Sequence, residues 1–207
     1  MRQYRRRLLL AVLFAPWLWM TPSIASETHA QLLEQLRAGG LVIYWRHAIT
    51  DRSRRDQDLS DMGRCEVQRV LSDAGKAQAR SVGEALAKLD IPVGEVITSP
   101  FCRNVESARL AFGRYEVNND LFNWPPAPAA RKPQLIEALR TMLATPPADP
   151  RMNTVLVGHN LNMRQAAGLR IEEGEMAVFR PLETGGFQHL GNLTDRELEA
   201  LVHQSRQ

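Results

Sequence analysis

At 207 residues the chain is of single-domain size, and its 44% hydrophobic and 24% charged content excludes collagen-like, coiled-coil and wholly disordered chains. A formal charge of +3, from 26 Lys and Arg against 23 Asp and Glu, suggests a polyanion or a membrane surface as partner. The distribution of that charge argues otherwise.

Arg2, Arg5, Arg6 and Arg7 precede an apolar run from Leu8 to Met20, and the following Thr21-Pro22-Ser23-Ile24-Ala25 sets small residues before a cleavage point after Ala25. The run has 13 residues, whereas a bilayer crossing needs about 20. Residues 1–25 therefore read as a cleaved Sec-type signal peptide rather than an anchor, leaving 26–207 as a single domain, periplasmic or secreted, with no stable membrane span. The segment removes four arginines and no acid, so 22 basic residues remain against 23 acidic ones, a net of −1. No nucleic-acid partner is expected of such a domain, and any functional positive charge is local.

From Glu27 to Gly40 the spacing of Leu32, Leu33 and Leu36 predicts a helix stopped by Gly39-Gly40. Leu41 to Trp45 is an unbroken apolar run, as suits a strand covered on both faces. Residues 46–73 form a long charged loop. Ser72 caps a predicted helix from Asp73 to Leu89, and Pro92 separates it from a strand over Glu95–Thr98. A helix from Phe101 to Phe112 and a short strand over Tyr115–Val117 follow. Asn123 to Pro128 is Pro-rich loop, Pro133 opens a helix to Leu143, and Thr154–Val157 is a second buried strand. Met176–Phe179 and Phe187–Leu190 read as a terminal strand pair, and Thr194-Asp195-Arg196-Glu197 is a capping box that starts a last helix. Strands alternating with helices predict an α/β three-layer sandwich with a mostly parallel central sheet flanked by helices.

Cys65 and Cys102 are the only cysteines, and in an exported chain they are expected to form a disulfide. They lack the C-x-x-C and histidine spacing of a zinc site, no carboxylate cluster offers to hold a metal, and no cofactor is expected.

In a sheet of this kind ligands sit beyond the carboxyl ends of the strands. Three predicted strand ends carry Arg46-His47, Arg103 just past Ser99-Pro100, and His159 after Gly158. Two convergent guanidinium groups specify an oxyanion, and phosphate fits best. A neutral histidine held by a hydrogen bond on one ring nitrogen can attack phosphorus through the other, while a second histidine stabilises the transferring phosphoryl group. The nucleophile elbow, the glycine-rich phosphate loop, the dinucleotide fingerprint and the H-E-x-x-H motif are all missing from the sequence. His29, His189 and His203 fall in helix or terminal strand and receive no role.

Four segments resemble the histidine phosphatase superfamily, the phosphoglycerate mutase-like fold. Arg46-His47-Ala48 is similar to its opening Arg-His-Gly, with Ala48 in place of the glycine. Leu71-Ser72-Asp73-Ala74-Gly75-Lys76-Ala77-Gln78-Ala79 is similar to its helix start, Ser99-Pro100-Phe101-Cys102-Arg103-Asn104-Val105-Glu106-Ser107-Ala108 to its Ser-Pro-x-x-Arg segment, and Gly158-His159 to its closing motif. The resemblance runs from about Leu41 to Pro181. It implies that His47 forms a phosphohistidine, that Arg46 and Arg103 bind phosphate, and that His159 completes the pocket. With the signal peptide and cysteine pair, the chain looks most like the exported branch that includes periplasmic lipopolysaccharide core heptose phosphatases.

Acid phosphatases and phytases of that superfamily have His-Asp where this chain has His159-Asn160, and an amide cannot deliver a proton to a leaving group. Glu137 and Asp51 are the alternative carboxylates. The expected activity is metal-independent hydrolysis of a phosphomonoester, a small molecule or an envelope glycan. If neither carboxylate serves, substrates with good leaving groups, such as phosphohistidine, are favoured; the remaining alternative is a protein that binds phosphate esters without hydrolysing them.

Overall fold

The computed structural model describes residues 24–205. The expected signal peptide falls almost wholly outside them; helix α1 (Ile24–Ala38) starts across the expected cleavage point. The elements then run β1 (Val42–Arg46), α2 (Asp73–Lys88), β2 (Val93–Thr98), α3 (Cys102–Phe112), β3 (Glu116–Val117), α4 (Lys132–Ala144), β4 (Asn153–Gly158), α5 (Asn160–Ala167), β5 (Met176–Pro181), β6 (Phe187–Leu193) and α6 (Asp195–Gln204).

The strands form one six-stranded sheet in the order β3-β2-β4-β1-β5-β6. β1, β2, β3 and β4 are mutually parallel, and β5 and β6 add an antiparallel edge. β1 and β4 occupy the centre, which explains why both read as continuous apolar runs. Their side chains divide by alternation. Ile43, Trp45, Val155 and Val157 pack with Leu36, Val82, Leu86 and Leu198 of α1, α2 and α6, whereas Val42, Tyr44 and Leu156 pack with Ile136, Leu139 and Met163 of α4 and α5. The three-layer sandwich is the expected one.

The capping expectations are met in atomic detail. Ser72 Oγ accepts from the Gly75 amide at 3.1 Å, and Thr194 and Glu197 form a reciprocal capping box. Helix α5 is the element for which the sequence pattern gave no signal. It has eight residues, and its buried face is Asn162, Met163 and Ala166. One face of a two-turn helix holds too few apolar positions to show a period. Among the described residues no helix is long and apolar enough to cross a membrane.

Candidate active site

Strand register builds the site. Arg46 of β1 lies opposite Gly158 of β4, and Thr98 of β2 opposite Val157, so the next residues, His47, His159 and Ser99, leave the sheet together at its carboxyl edge. The His47 amide donates to the Gly158 carbonyl at 3.2 Å. The two imidazole rings stand 5.6 Å apart, centroid to centroid, inclined at 66°. Ser99 Oγ lies 2.8 Å from His159 Nε2, and Phe101 meets the His159 ring edge-on at 5.0 Å. One turn further, α3 carries Arg103, whose guanidinium stacks 4.5 Å above the Phe101 ring.

Both histidines are neutral. Burial is the main cause that holds each well below the ordinary histidine range, and the charge of Arg103 adds to it. His47 Nδ1 lies 2.9 Å from the Ala48 carbonyl, which can only accept. The proton is therefore on Nδ1, leaving Nε2 with its lone pair free.

Each arginine is oriented by protein acceptors on part of its fork. Arg46 donates from one terminal nitrogen to the Ile171 carbonyl at 2.9 Å and places the other 3.5 Å from Glu173. Arg103, 1% exposed, uses one terminal nitrogen for Asp56 at 3.0 and 3.3 Å and for the Arg69 carbonyl at 3.4 Å. Burial lowers Arg103 to about 10, opposed by the Asp56 carboxylate, so it stays charged at neutral pH. The Nε atoms of both arginines are buried without a hydrogen-bond partner among the described residues. Two unsatisfied cationic donors beside a bare imidazole nitrogen form a receptor for a tetrahedral oxyanion.

The sequence model of the histidine phosphatase superfamily (branch 1) matches residues 42–121, a span that carries Arg46, His47 and Arg103. Over that span the chain is similar to the histidine phosphatase superfamily. Solved structures of the same fold include the protein histidine phosphatase SixA complexed with tungstate, at 16% identity and TM-score 0.51 over 76% of this chain and 99% of that one. A mycobacterial glucosyl-3-phosphoglycerate phosphatase in complex with inorganic phosphate is similar at 16% identity and TM-score 0.53, over 76% and 99%. A mutant phosphoserine phosphatase from Entamoeba histolytica in complex with phosphoserine is similar at 11% identity and TM-score 0.52, over 76% and 98%. No curated protein matches the chain in sequence.

The motif residues outside the pocket fix its backbone. Ser107, one turn beyond Arg103, donates to the Arg103 carbonyl at 2.7 Å and accepts from the Ala48 amide at 3.0 Å. Asn104 donates to the Gly158 carbonyl at 3.0 Å. Gln78 of α2 accepts from the Ile49 amide at 3.0 Å and donates to Asp195 at 2.8 Å, tying the loop after His47 to two helices. Gly158 is required by close approach, because a Cβ there would run into the Tyr44 hydroxyl.

The structure brings Arg46, His47, Arg103 and His159 together and leaves the two proposed acids aside. Asp51 turns back onto its own loop, accepting from the Ser53 amide and hydroxyl at 2.9 and 2.7 Å, which lowers its pKa and makes it a poor proton donor. Glu137 lies on the exposed side of α4 beside Arg140. Asn160 holds the loop that Arg46 leans on, its Oδ1 accepting from the Ile171 amide at 3.0 Å. The carboxylates at the pocket are Asp56 and Glu173, neither of which the sequence singled out. The disulfide between Cys65 and Cys102 is formed, with Cα atoms 5.7 Å apart. Among the described residues no group of three or more His, Cys, Asp or Glu could hold a metal ion. His29 pairs with Glu197 and His189 with Asn192, away from the pocket.

Proposed function

We propose that the protein is an exported, metal-independent phosphomonoesterase that works through a phosphohistidine on His47. The observation that carries this reading is the tautomer of His47. Ala48 fixes the proton on Nδ1, and burial with Arg103 keeps the ring neutral. In the reaction Nε2 forms a bond to phosphorus as the ester P–O bond breaks, its electron pair leaving on the alcohol oxygen, which takes up a proton. Arg46 and Arg103 hold the phosphoryl oxygens, and His159, oriented by Ser99, stabilises the equatorial charge. Water then attacks phosphorus, the N–P bond breaks with its pair returning to Nε2, and inorganic phosphate leaves.

Export is supported by the arginine-led apolar segment and by the single disulfide, a bond that persists in oxidising compartments. An envelope glycan phosphate is the substrate that the likeness to exported heptose phosphatases suggests. A restriction to good leaving groups is favoured by one observation: both carboxylates at the pocket are engaged by arginines, Asp56 by Arg103 and Glu173 by Arg46.

The test is hydrolysis of 4-nitrophenyl phosphate by the chain from Ser26 onward in the presence of chelator. Activity abolished by His47→Ala, inhibition by vanadate and an acid-labile, alkali-stable phosphoenzyme are expected. Undiminished turnover by His47→Ala overturns the mechanism, and phosphate-ester binding without turnover across a broad panel turns the reading to a binding protein. Comparing phosphohistidine and aryl phosphate with alkyl phosphates measures the leaving-group restriction.

A further inference from the structure

A third arginine stands at the pocket. The Arg69 amide donates to Asp56 Oδ1 at 2.9 Å, and the Arg69 carbonyl accepts from Arg103 at 3.4 Å, so its backbone brackets the Asp56–Arg103 ion pair. Gln68 is extended at φ −112° and ψ 159°, and its amide bonds to the Met62 carbonyl and the Cys102 amide at 2.9 and 3.0 Å. Val70 lines a cavity of about 590 Å³ behind the disulfide, with Cys65, Cys102 and Val105. Gln68 and Val70 both face the disulfide side, and Arg69 lies near enough to the pocket for its charge to act on both histidines.

The charges of the pocket leave Arg69 as the surplus. Arg46 faces Glu173 and Arg103 faces Asp56, while Arg69 has no carboxylate partner among the described residues. Its charge is felt by both imidazoles, whose protonation it opposes together with Arg46 and Arg103. Exposure separates its task from that of Arg103. Arg103 is buried to 1% exposure, and the Nε atoms of Arg46 and Arg103 are buried without a partner among the described residues. Arg69 is only half-buried, so its side chain remains open to the part of an ester that extends toward solvent.

We propose that Arg69 binds a second anionic group of the substrate. The preferred substrates are then phosphomonoesters that carry a further phosphate or carboxylate a few bonds from the phosphoryl group that is removed. The inference rests on the phosphatase reading for the placement of that first group.

Two non-hydrolysable probes test it by calorimetry on the chain from Ser26 onward: methylphosphonate, with one anionic group, and methylenebisphosphonate, with two. Wild type is expected to bind the bisphosphonate about tenfold tighter or more, as one charge-assisted contact predicts, and Arg69→Gln to reduce that preference to within about threefold. Arg69→Lys restores part of it. Arg80→Gln, on the exposed side of α2, controls for the loss of one positive charge and keeps the wild-type ratio. A preference that survives in Arg69→Gln, or that wild type lacks, overturns the inference while methylphosphonate binding leaves the phosphatase reading standing. Failure of both probes to bind wild type removes the phosphoryl pocket itself and with it both readings.

Discussion

The Tyr44 hydroxyl bonds twice to the backbone of His159, accepting from its N–H at 2.7 Å and donating to its carbonyl at 3.0 Å. Both partners are buried, and Tyr44 sits on the central strand β1, so the position of the second histidine is set from the middle of the sheet. Burial also raises the Tyr44 pKa far above its ordinary value, which keeps the hydroxyl protonated and able to donate.

Tyr44→Phe leaves the His159 N–H unpaired in the interior, while the carbonyl keeps only the Met163 amide at 3.2 Å, at a cost of about 1–3 kcal/mol. Urea denaturation is expected to show a lower midpoint at unchanged slope, and kcat/KM to fall more than KM rises, because His159 acts on the transferring group. Wild-type kinetics in a destabilised Tyr44→Phe would show that the double bond serves the fold alone.

Asp56 orients Arg103, and the two substitutions that remove its charge differ in what they leave behind. Asp56→Asn keeps an acceptor for the Arg103 fork, whereas Asp56→Ala leaves a buried guanidinium with no carboxylate and only the Arg69 carbonyl at 3.4 Å, a change that in buried pairs costs about 3–5 kcal/mol. Part exposure of Asp56, at 24%, places the expected loss at the lower end of that range. Activity is expected in the order wild type, Asp56→Asn, Asp56→Ala, read as kcat/KM on an aryl phosphate. Equal losses in both variants would mean that charge rather than orientation is what Asp56 supplies.

Arg46, His47 and His159 were legible because each ends or directly follows a buried strand, where burial and chain direction together fix the place of the next side chain, and Arg103 because it opens the helix just past Ser99-Pro100. Arg46 and Gly158 are opposite each other in the sheet, and the sequence shows both as ends of apolar runs. Asp56 and Glu173 were not legible. Asp56 sits among Asp51, Asp58 and Asp61 in one charged loop, and nothing local distinguishes the acid that reaches Arg103, 47 residues away. Glu173 meets the loop after His47 through Thr50, 123 residues away, a contact decided by the antiparallel return of β5 beside β1. Tyr44 reads as one more apolar strand residue until its register against β4 is known. Helix α5 shows no apolar period, and its one local mark is the stop at Gly168, left-handed at φ 73°.

The two buried histidines make stability depend on pH in a defined direction. Their folded pKa values lie well below the unfolded value near 6.5, so the unfolded chain binds more protons once the pH falls below about 6.5. Stability from this source is full above that pH and is lost below it, by about 1.4 kcal/mol per pH unit for each histidine until the folded pKa is reached. Melting temperature is expected to decline from pH 6.5 downward and the decline to be shallower in His47→Ala. For activity, the acid limb of kcat/KM is expected below pH 6.5, because His47 remains a free base there. An acid limb at 6.5 or above would contradict a buried neutral nucleophile.

The disulfide joins the loop that carries Asp56 and Arg69 to the first turn of α3, one residue before Arg103. With a sequence separation of 37 it is expected to contribute about 3 to 4 kcal/mol through the unfolded chain. The same loop is held independently by Gln68, which accepts from the Cys102 amide at 3.0 Å, and by the Asp56–Arg103 pair. Replacing both cysteines by serine is therefore expected to lower the denaturation midpoint strongly and kcat only modestly, with KM rising as the loop loosens at the mouth. Adding reductant to wild type should reproduce the double variant in both measurements. Loss of kcat as large as the loss of stability would mean that the hydrogen bonds of Gln68 and Asp56 form only when the disulfide has brought loop and helix together.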